Sequence, residues 1–173
     1  MYLKIIGCMF VLTAAAVIGF LKAEELKMRV KRLEAFKRMM MFLQGELRFH
    51  RATLSEAFEN VAKRVETPFD QFLGEMAIRL EKHKEGDFDK VWQELSKKLL
   101  LKSGFQKEDA QLMELLRSSL GYLDLTMQTE TLNLAMVQTE TAIHSARKQQ
   151  EIRGKLYRTM GVTVGALLVL LII

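Results

Sequence analysis

The scarcity of turn-forming residues is the strongest constraint on the fold of this 173-residue chain. It contains one proline, Pro68, and ten glycines. An all-β domain needs a turn about every ten residues, usually with glycine or proline in it, and this chain has too few of either. Apolar residues make up 49% of the chain and charged residues 27%, a balance that excludes a disordered chain. The sequence therefore predicts an all-α protein.

No pattern of reactive or metal-binding residues stands out. The single cysteine, Cys8, excludes a disulfide framework and a cysteine-based zinc or iron–sulfur site. His50, His83 and His144 are far apart in the sequence and outside any metal-ligand pattern such as H-E-x-x-H. The chain also lacks a phosphate-binding loop, a dinucleotide fingerprint and a nucleophile elbow. We therefore predict no catalytic residue, no metal and no cofactor, and a protein that is not an enzyme.

Positive charge is concentrated in two short segments, which we call the N-terminal collar (residues 22–38) and the C-terminal collar (residues 144–158). The first holds seven Lys and Arg against three Glu, and the second holds five against one. Residues 39–143 hold thirteen positive and seventeen negative side chains. A nucleic-acid-binding protein carries its positive charge on the folded face that meets phosphates. This distribution therefore argues against nucleic acid as a partner.

Each collar borders an apolar segment without charged residues, residues 5–21 and residues 159–173. A bilayer core of about 30 Å needs ~20 helical residues, so both segments are short. At the second segment, Lys155 and Arg158 can extend their side chains to the headgroups, while neighbouring apolar residues lengthen the helix. We expect both segments to span the membrane.

Two other interpretations of the N-terminus fit less well. A cleavable signal peptide needs small residues at its cleavage site, but the segment ends in Phe20-Leu21-Lys22-Ala23. Ile5-Ile6-Gly7-Cys8 looks like a lipoprotein box, yet the apolar stretch follows the cysteine instead of preceding it. An uncleaved anchor is therefore the better interpretation.

The positive-inside rule sets the orientation, because both collars lie on the side of the central domain. We expect residues 22–158 on the cytoplasmic side of the cell membrane. The chain then divides into an N-terminal transmembrane anchor (residues 1–21), a cytoplasmic helical bundle (residues 22–155) and a C-terminal transmembrane segment (residues 156–173). The predicted membrane-flanking positive residues are Lys22, Lys27, Arg29, Lys31, Arg32, Arg153, Lys155 and Arg158.

Small residues stand four apart in each apolar segment, Ala15 with Gly19 and Gly161 with Gly165. Such pairs allow helix backbones to approach closely in lipid, which predicts helix packing at these four positions. The alternative is that glycine and alanine are simply common in membrane helices.

The first three helices of the bundle are predicted from apolar periodicity and capping signals. A long helix covers residues 26–47, and a capping box at Thr53 and Glu56 opens the second helix. Pro68 suits the first position of the third helix, which stops near Gly86. The predicted apolar stripes are Leu26, Leu33, Phe36, Met40, Leu43 and Leu47 in the first helix, Leu54, Ala57, Phe58, Val61, Ala62 and Val65 in the second, and Phe69, Phe72, Leu73, Met76 and Leu80 in the third.

Three further helices complete the predicted fold. Asp87 can cap a fourth helix that Ser103-Gly104 ends, and a fifth runs from about Lys107 to Leu120. From Asp124 onward no strong breaker occurs before Gly154, so a sixth helix continues into the C-terminal segment. The predicted fold is an all-α, six-helix cytoplasmic bundle between an N-terminal and a C-terminal transmembrane helix. The apolar stripes of the fourth and fifth helices are Phe88, Val91, Trp92, Leu95 and Leu99, and Leu112, Leu115 and Leu116.

Several fragments occur in an order and spacing that is characteristic of one family. They are Phe42-Leu43-Gln44-Gly45-Glu46-Leu47, Thr53-Leu54-Ser55-Glu56-Ala57-Phe58, Leu120-Gly121 with Asp124 and Gln128, and Lys155-Leu156-Tyr157-Arg158-Thr159-Met160-Gly161. Together with the anchor and the collar, they resemble the stage III sporulation protein AB family of endospore-forming bacteria over essentially the full length. The chain departs from the family pattern at Arg117, where the first glycine of a tandem Leu-Gly pattern falls, and at Leu123.

The resemblance implies a component of the sporulation channel complex between mother cell and forespore. The helical domain of the family is similar to the cytoplasmic domain of type II secretion system F proteins, which are inner-membrane platforms. The implied location is the mother-cell membrane around the forespore, with the bundle in the cytoplasm. The implied partners are the secretion-type ATPase (stage III sporulation protein AA), other membrane subunits of the complex, and membrane lipid. The sequence leaves open whether the chain forms a homo-oligomer.

The functional prediction is a non-enzymatic membrane scaffold that docks the ATPase to membrane subunits. A signal-transducing membrane helical bundle is the main alternative, but receptors normally place the bundle outside the cell and a signalling module after the second span. A membrane-bound hydrolase with a site assembled in space is a third possibility, and it would require a cluster of histidines and carboxylates.

Overall fold

The computed structural model describes residues 2–50, 52–82, 88–121 and 124–172. Within these ranges every regular element is helical, so the all-α prediction is confirmed. Six α-helices follow one another along the chain, and a π-helical turn at Glu46–His50 follows the first. The helices are α1 (Tyr2–Gly45), α2 (Leu54–Ala62), α3 (Phe69–Lys82), α4 (Phe88–Ser103), α5 (Lys107–Leu120) and α6 (Leu125–Ile172).

The chain forms two compact units. The end unit combines residues 1–31 with residues 144–173, and the bundle unit consists of residues 32–143. Helices α1 and α6 therefore contribute to both units. The apolar segment 5–21 and the predicted first helix of the bundle are one continuous helix, and α6 continues through Gly154 as predicted.

In the end unit, the α1 and α6 segments pack on each other in opposite directions. Gly19 lies beside Tyr157, and Arg29 contacts Gln149 further along the pair. Ala23 and Ala146 are both buried. Among the residues that are described, no helix has the combination of length and apolar character that a membrane crossing requires.

The core of the bundle unit contains most of the predicted apolar stripes. Five of the six stripe residues expected on the first helix are buried, and Leu26 is half-buried. Two aromatic clusters join the helices: Phe36, Phe69 and Phe105 lie within 6.2 Å of one another by ring centroids, and Phe72 packs edge-on against Trp92 at 5.1 Å. The stripe residues Leu33, Phe36, Met40, Leu43 and Leu47 thus face a shared core.

The capping box predicted for α2 is present. The Thr53 backbone N–H donates to Glu56 Oε2 at 2.8 Å, and the Glu56 N–H donates to Thr53 Oγ1 at 3.4 Å. These reciprocal bonds satisfy two of the N–H groups that a helix start leaves open. The helix ends at Ala62, three residues before the end of the predicted stripe, because the chain turns there and the Arg64 N–H bonds to the Val61 carbonyl at 2.9 Å.

Pro68 stands one residue before α3 instead of at its first position. Its carbonyl accepts the Phe72 N–H at 3.2 Å, so it already takes part in the first turn without donating a bond. The buried face of α3 follows the predicted stripe through Met76, while Leu80 is only half-buried. The predicted signals at Gly86, Asp87 and Leu123 lie outside the described residues.

Helix α5 has the predicted bounds, Lys107–Leu120. It follows a tight turn in which Gly104 has a φ of +63°, a conformation that residues with a Cβ rarely adopt. The buried carboxylate of Asp109 accepts the Gln106 backbone N–H at 2.9 Å and fixes the start of the helix. The Ser103-Gly104 break predicted between α4 and α5 is therefore confirmed.

Candidate functional site

The four small residues predicted to pack lie together in the end unit. A Cβ added at Gly19 would stand 2.5 Å from the Tyr157 carbonyl oxygen, and one added at Gly161 would stand 2.8 Å from the Ala15 carbonyl oxygen. These neighbours are backbone atoms of the facing helix, which cannot rotate away as a side chain can. Only glycine fits at these two positions without moving the helices.

Gly165 makes a looser contact at the end of the same row. A Cβ there would lie 3.2 Å from the Ala15 Cβ and 3.4 Å from Leu12. Gly154, although buried on the same helix, has nothing within 4 Å of such an added atom. The close backbone approach is therefore local to the row of Ala15, Gly19, Gly161 and Gly165, where glycine and alanine are the residue types that allow it.

The N-terminal collar is partly neutralised by its own acidic residues. Lys22 pairs with Glu25 at 2.9 Å and Lys27 with Glu24 at 3.2 Å, each within one helical turn. Both pairs are exposed, and such pairs contribute little to stability. Lys31 is exposed on the same helix.

Two predicted membrane-flanking residues of this collar contact other parts of the protein. Arg29 is buried, and its Nη1 donates to Gln149 Oε1 of the facing helix at 3.2 Å. Arg32 belongs to the bundle unit, where its Nη1 lies 2.8 Å from the position of a Cβ on Gly104. Both guanidinium groups therefore pack against other residues of the protein.

The C-terminal collar is more open. Lys148, Arg153 and Lys155 are exposed, and among the described residues none of them has a carboxylate partner. The side chain of Arg158 lies outside the described residues. The exposed and unpaired charge of the end unit is thus found chiefly on α6.

A buried carboxylate organises the π-helical turn of the bundle unit. Glu46 Oε1 accepts from Arg64 Nη1 at 3.2 Å, and Oε2 accepts from Asn60 Nδ2 at 3.1 Å. The same guanidinium lies 4.4 Å above the ring centroid of Phe42. No sequence signal indicated this cluster, because its members are 14 and 18 residues apart and belong to no motif.

Arg117 ties α4 to α5. Its guanidinium bonds to Glu114 one turn earlier and to Asp89 of α4. The hydrogen bonds with these two carboxylates raise the pKa of Arg117, and the bond from Arg117 lowers the pKa of Glu114. Between α3 and α4 a similar bridge joins Arg79 to Glu94 at 2.7 Å, and it lowers the pKa of Glu94.

A cavity of about 30 Å³ lies between α3 and α4. It has room for about one water molecule, whereas ligand pockets typically measure about 300–1,000 Å³. Its lining is mostly the apolar packing of the two helices, with one charged pair, Glu75 and Lys98, 2.9 Å apart. The lining residues are Pro68, Gln71, Phe72, Glu75, Leu95, Lys98 and Leu99.

The histidines do not form a cluster in the part of the chain that is described. His50 is exposed in the bundle unit and His144 is exposed in the end unit, while His83 is outside the described residues. Among described side chains, no group of three or more His, Cys, Asp or Glu could hold a metal ion.

These features define a class of all-helical proteins in which two long helices each contribute one segment to a pair packed through small residues and another segment to an apolar bundle. The chain belongs to the stage III sporulation protein AB family, whose model matches residues 4–173. It is 22% identical to stage III sporulation protein AB of Bacillus subtilis (strain 168) over 170 residues, which cover 98% of this chain and 99% of that protein. No solved structure matches. The family resemblance is thereby confirmed, and it indicates a role in stage III of sporulation.

Proposed function

We propose that this protein is a non-enzymatic membrane scaffold that docks the ATPase of a secretion-like sporulation channel to its membrane subunits. The observation that carries the proposal is the end unit, in which the two uncharged apolar segments of the chain meet through glycine contacts. The family match supplies the sporulation context. The channel would join mother cell and forespore, with this subunit in the mother-cell membrane.

Membrane anchoring is supported by the apolar surface of the end unit. Phe10 is 76% exposed, and Leu21 and Leu167 are each more than 60% exposed. Apolar surface costs about 25 cal/mol per Å² in water, and a surrounding bilayer removes this cost. Alkaline carbonate extraction of membranes from sporulating cells tests the anchoring. We expect the full chain to stay in the pellet, and its release into the supernatant would contradict the proposal.

A cytoplasmic bundle is supported by the position of the collars, because cytoplasmic loops carry an excess of Lys and Arg near membrane segments. The test uses a Cys8→Ser chain with a single new cysteine at the exposed Lys97 of α4. An impermeant maleimide should label this cysteine only after the cells are opened. Labelling in intact mother cells would reverse the orientation and remove the docking role.

The docking role is tested directly by co-purification. A tagged full chain is extracted in mild detergent from the membranes of sporulating cells. We expect stage III sporulation protein AA to co-purify with it. A matched preparation that lacks only the tag provides the background. If the ATPase is absent from the eluate while the tagged chain is intact and in the membrane fraction, the docking proposal is wrong and the anchoring proposal stands.

A further inference from the structure

Two exposed cations close to the C-terminal apolar segment are available to an external anion. Lys155 and Arg153 precede Thr159 by four and six residues, which correspond to about 6 and 9 Å along a helix. Both are exposed and have no carboxylate partner among the described residues. On α1, by contrast, Lys22 directly follows the apolar segment, and Glu25 already pairs with it.

The spacing of these charges around the helix indicates the size of the ligand. At about 100° per residue, Arg153 and Lys155 point about 200° apart. A single flat protein surface cannot contact both sides of a helix, whereas small ligands that surround it can. The Debye length at physiological salt is about 8 Å. Lys155, at about 6 Å from the apolar boundary, lies within this length, and Arg153, at about 9 Å, lies close to it.

We propose that Arg153 and Lys155 bind the headgroups of anionic phospholipids, one on each side of α6. A guanidinium fork matches phosphate oxygens in two parallel hydrogen bonds, and the Lys155 ammonium acts as a point charge. The inference rests on the proposed membrane anchoring and adds its lipid partner. Lys148 lies about 17 Å from Thr159 and contributes less, because its interaction is screened by salt.

The experiment uses the full chain in phosphatidylcholine vesicles that contain a trace of spin-labelled phosphatidylglycerol or spin-labelled phosphatidylcholine. Electron paramagnetic resonance measures the fraction of each label that is immobilised by the protein. We expect about fivefold preference for phosphatidylglycerol, the factor that corresponds to ~1 kcal/mol for one Lys or Arg at a membrane surface. The R153Q/K155Q variant should bring the ratio close to one, R153K/K155R should keep it, and K148Q should lower it only slightly.

A matched variant, K82Q/K97Q, removes two exposed cations from the bundle unit and should leave the lipid ratio unchanged. An equal loss of preference in that variant, or an unchanged ratio in R153Q/K155Q, would overturn the inference. The inference would also be overturned if inorganic phosphate abolished the lipid preference and chloride of the same ionic strength did not, since this result indicates a site for free anions. Carbonate extraction of the same vesicles separates the two proposals. Release of the chain would contradict the anchoring proposal itself. A chain that stays in the vesicles but shows no preference for phosphatidylglycerol would contradict only this inference.

Discussion

Gly19 and Gly161 face each other so closely that a Cβ built on either one lies 3.2–3.3 Å from the Cα of the other. Each of these positions also approaches a carbonyl oxygen of the opposite helix, which belongs to Tyr157 or Ala15. At these two glycines the helices of the end unit are therefore packed backbone against backbone. This makes the effect of a single methyl group on its stability easy to measure.

Gly161→Ala should destabilise the end unit, and Gly154→Ala should not. Both changes add one methyl group to α6, but only the methyl at 161 meets backbone within 3 Å. Overpacking costs about 1–3 kcal/mol, whereas alanine in an open helical position gains up to ~1 kcal/mol over glycine. Thermal unfolding of the full chain in detergent, followed by helical circular dichroism, measures the difference. Equal melting temperatures for the two variants would contradict the close packing.

Thr53→Ala should lower the free energy of unfolding of the bundle unit by about 1 kcal/mol, because it removes the capping oxygen of α2. Thr53→Ser keeps this oxygen and serves as the matched control. Trp92 is the single tryptophan of the chain and is buried in this unit, so its fluorescence reports denaturant unfolding. If alanine and serine give the same midpoint, the capping bond does not stabilise the helix.

Acid should weaken the hydrogen bond that joins Glu114 to Arg117 within α5. The pKa of Glu114 is lowered from its ordinary value of 4.5, chiefly by the hydrogen bond from Arg117. A lowered pKa means that the stabilising contribution is present above pH 4.5 and is lost as the pH falls through the lowered value. Below pH 4.5, the urea midpoint measured by Trp92 fluorescence should therefore decrease less in Glu114→Gln than in the wild type.

Glu130→Gln is the control for this pH dependence, because it removes an exposed carboxylate of α6 without touching Arg117. It should follow the wild-type curve. A Glu114→Gln curve parallel to that of the wild type at every pH would show that this carboxylate does not contribute to the acid response.

Glu46→Leu should cost about 1–3 kcal/mol, because it removes a buried, charged acceptor that takes hydrogen bonds from Asn60 and Arg64. Arg64→Met alone should cost less, since the Arg64 side chain is half exposed and Asn60 still holds Glu46. A double-mutant cycle in urea, again read from Trp92, separates the pair from the single changes. A coupling energy near zero would mean that the contact between Glu46 and Arg64 contributes no stability.

The sequence predicted those parts of the fold that depend on neighbouring residues. The capping box at Thr53, the bounds of α5 and the buried stripe from Leu33 to Leu47 follow from patterns within a few turns of one helix. Such patterns are local, so they are readable before the chain is folded. Residue size singles out Ala15, Gly19, Gly161 and Gly165 in the sequence, but spacing alone could not say which helix faces which, and their packing within a membrane stays a prediction.

The sequence did not predict the partners of the charged residues. Arg29 is a predicted membrane-flanking cation, and no local pattern indicates that it is buried and donates to Gln149, 120 residues later. Arg32 lies against the Gly104 turn for the same reason: the register of two long helices and a distant loop decides which groups meet. The π-helical turn at Glu46 was also missed, because its apolar neighbour Leu47 continues the regular heptad spacing and conceals the change of backbone.

The unbroken course of α6 has a consequence for how its length can evolve. Ala146 and Gly161 lie on this one helix and both belong to the end unit, where Ala146 is buried. An extra residue between them would turn all later positions by about 100° relative to Ala146, and the side of the helix without a methyl group at Gly161 would rotate away from Gly19. Even seven added residues, which restore the rotation, would shift Gly161 by about 10 Å along the helix axis. Insertions and deletions in this stretch should therefore survive selection only when α1 changes by a matching length.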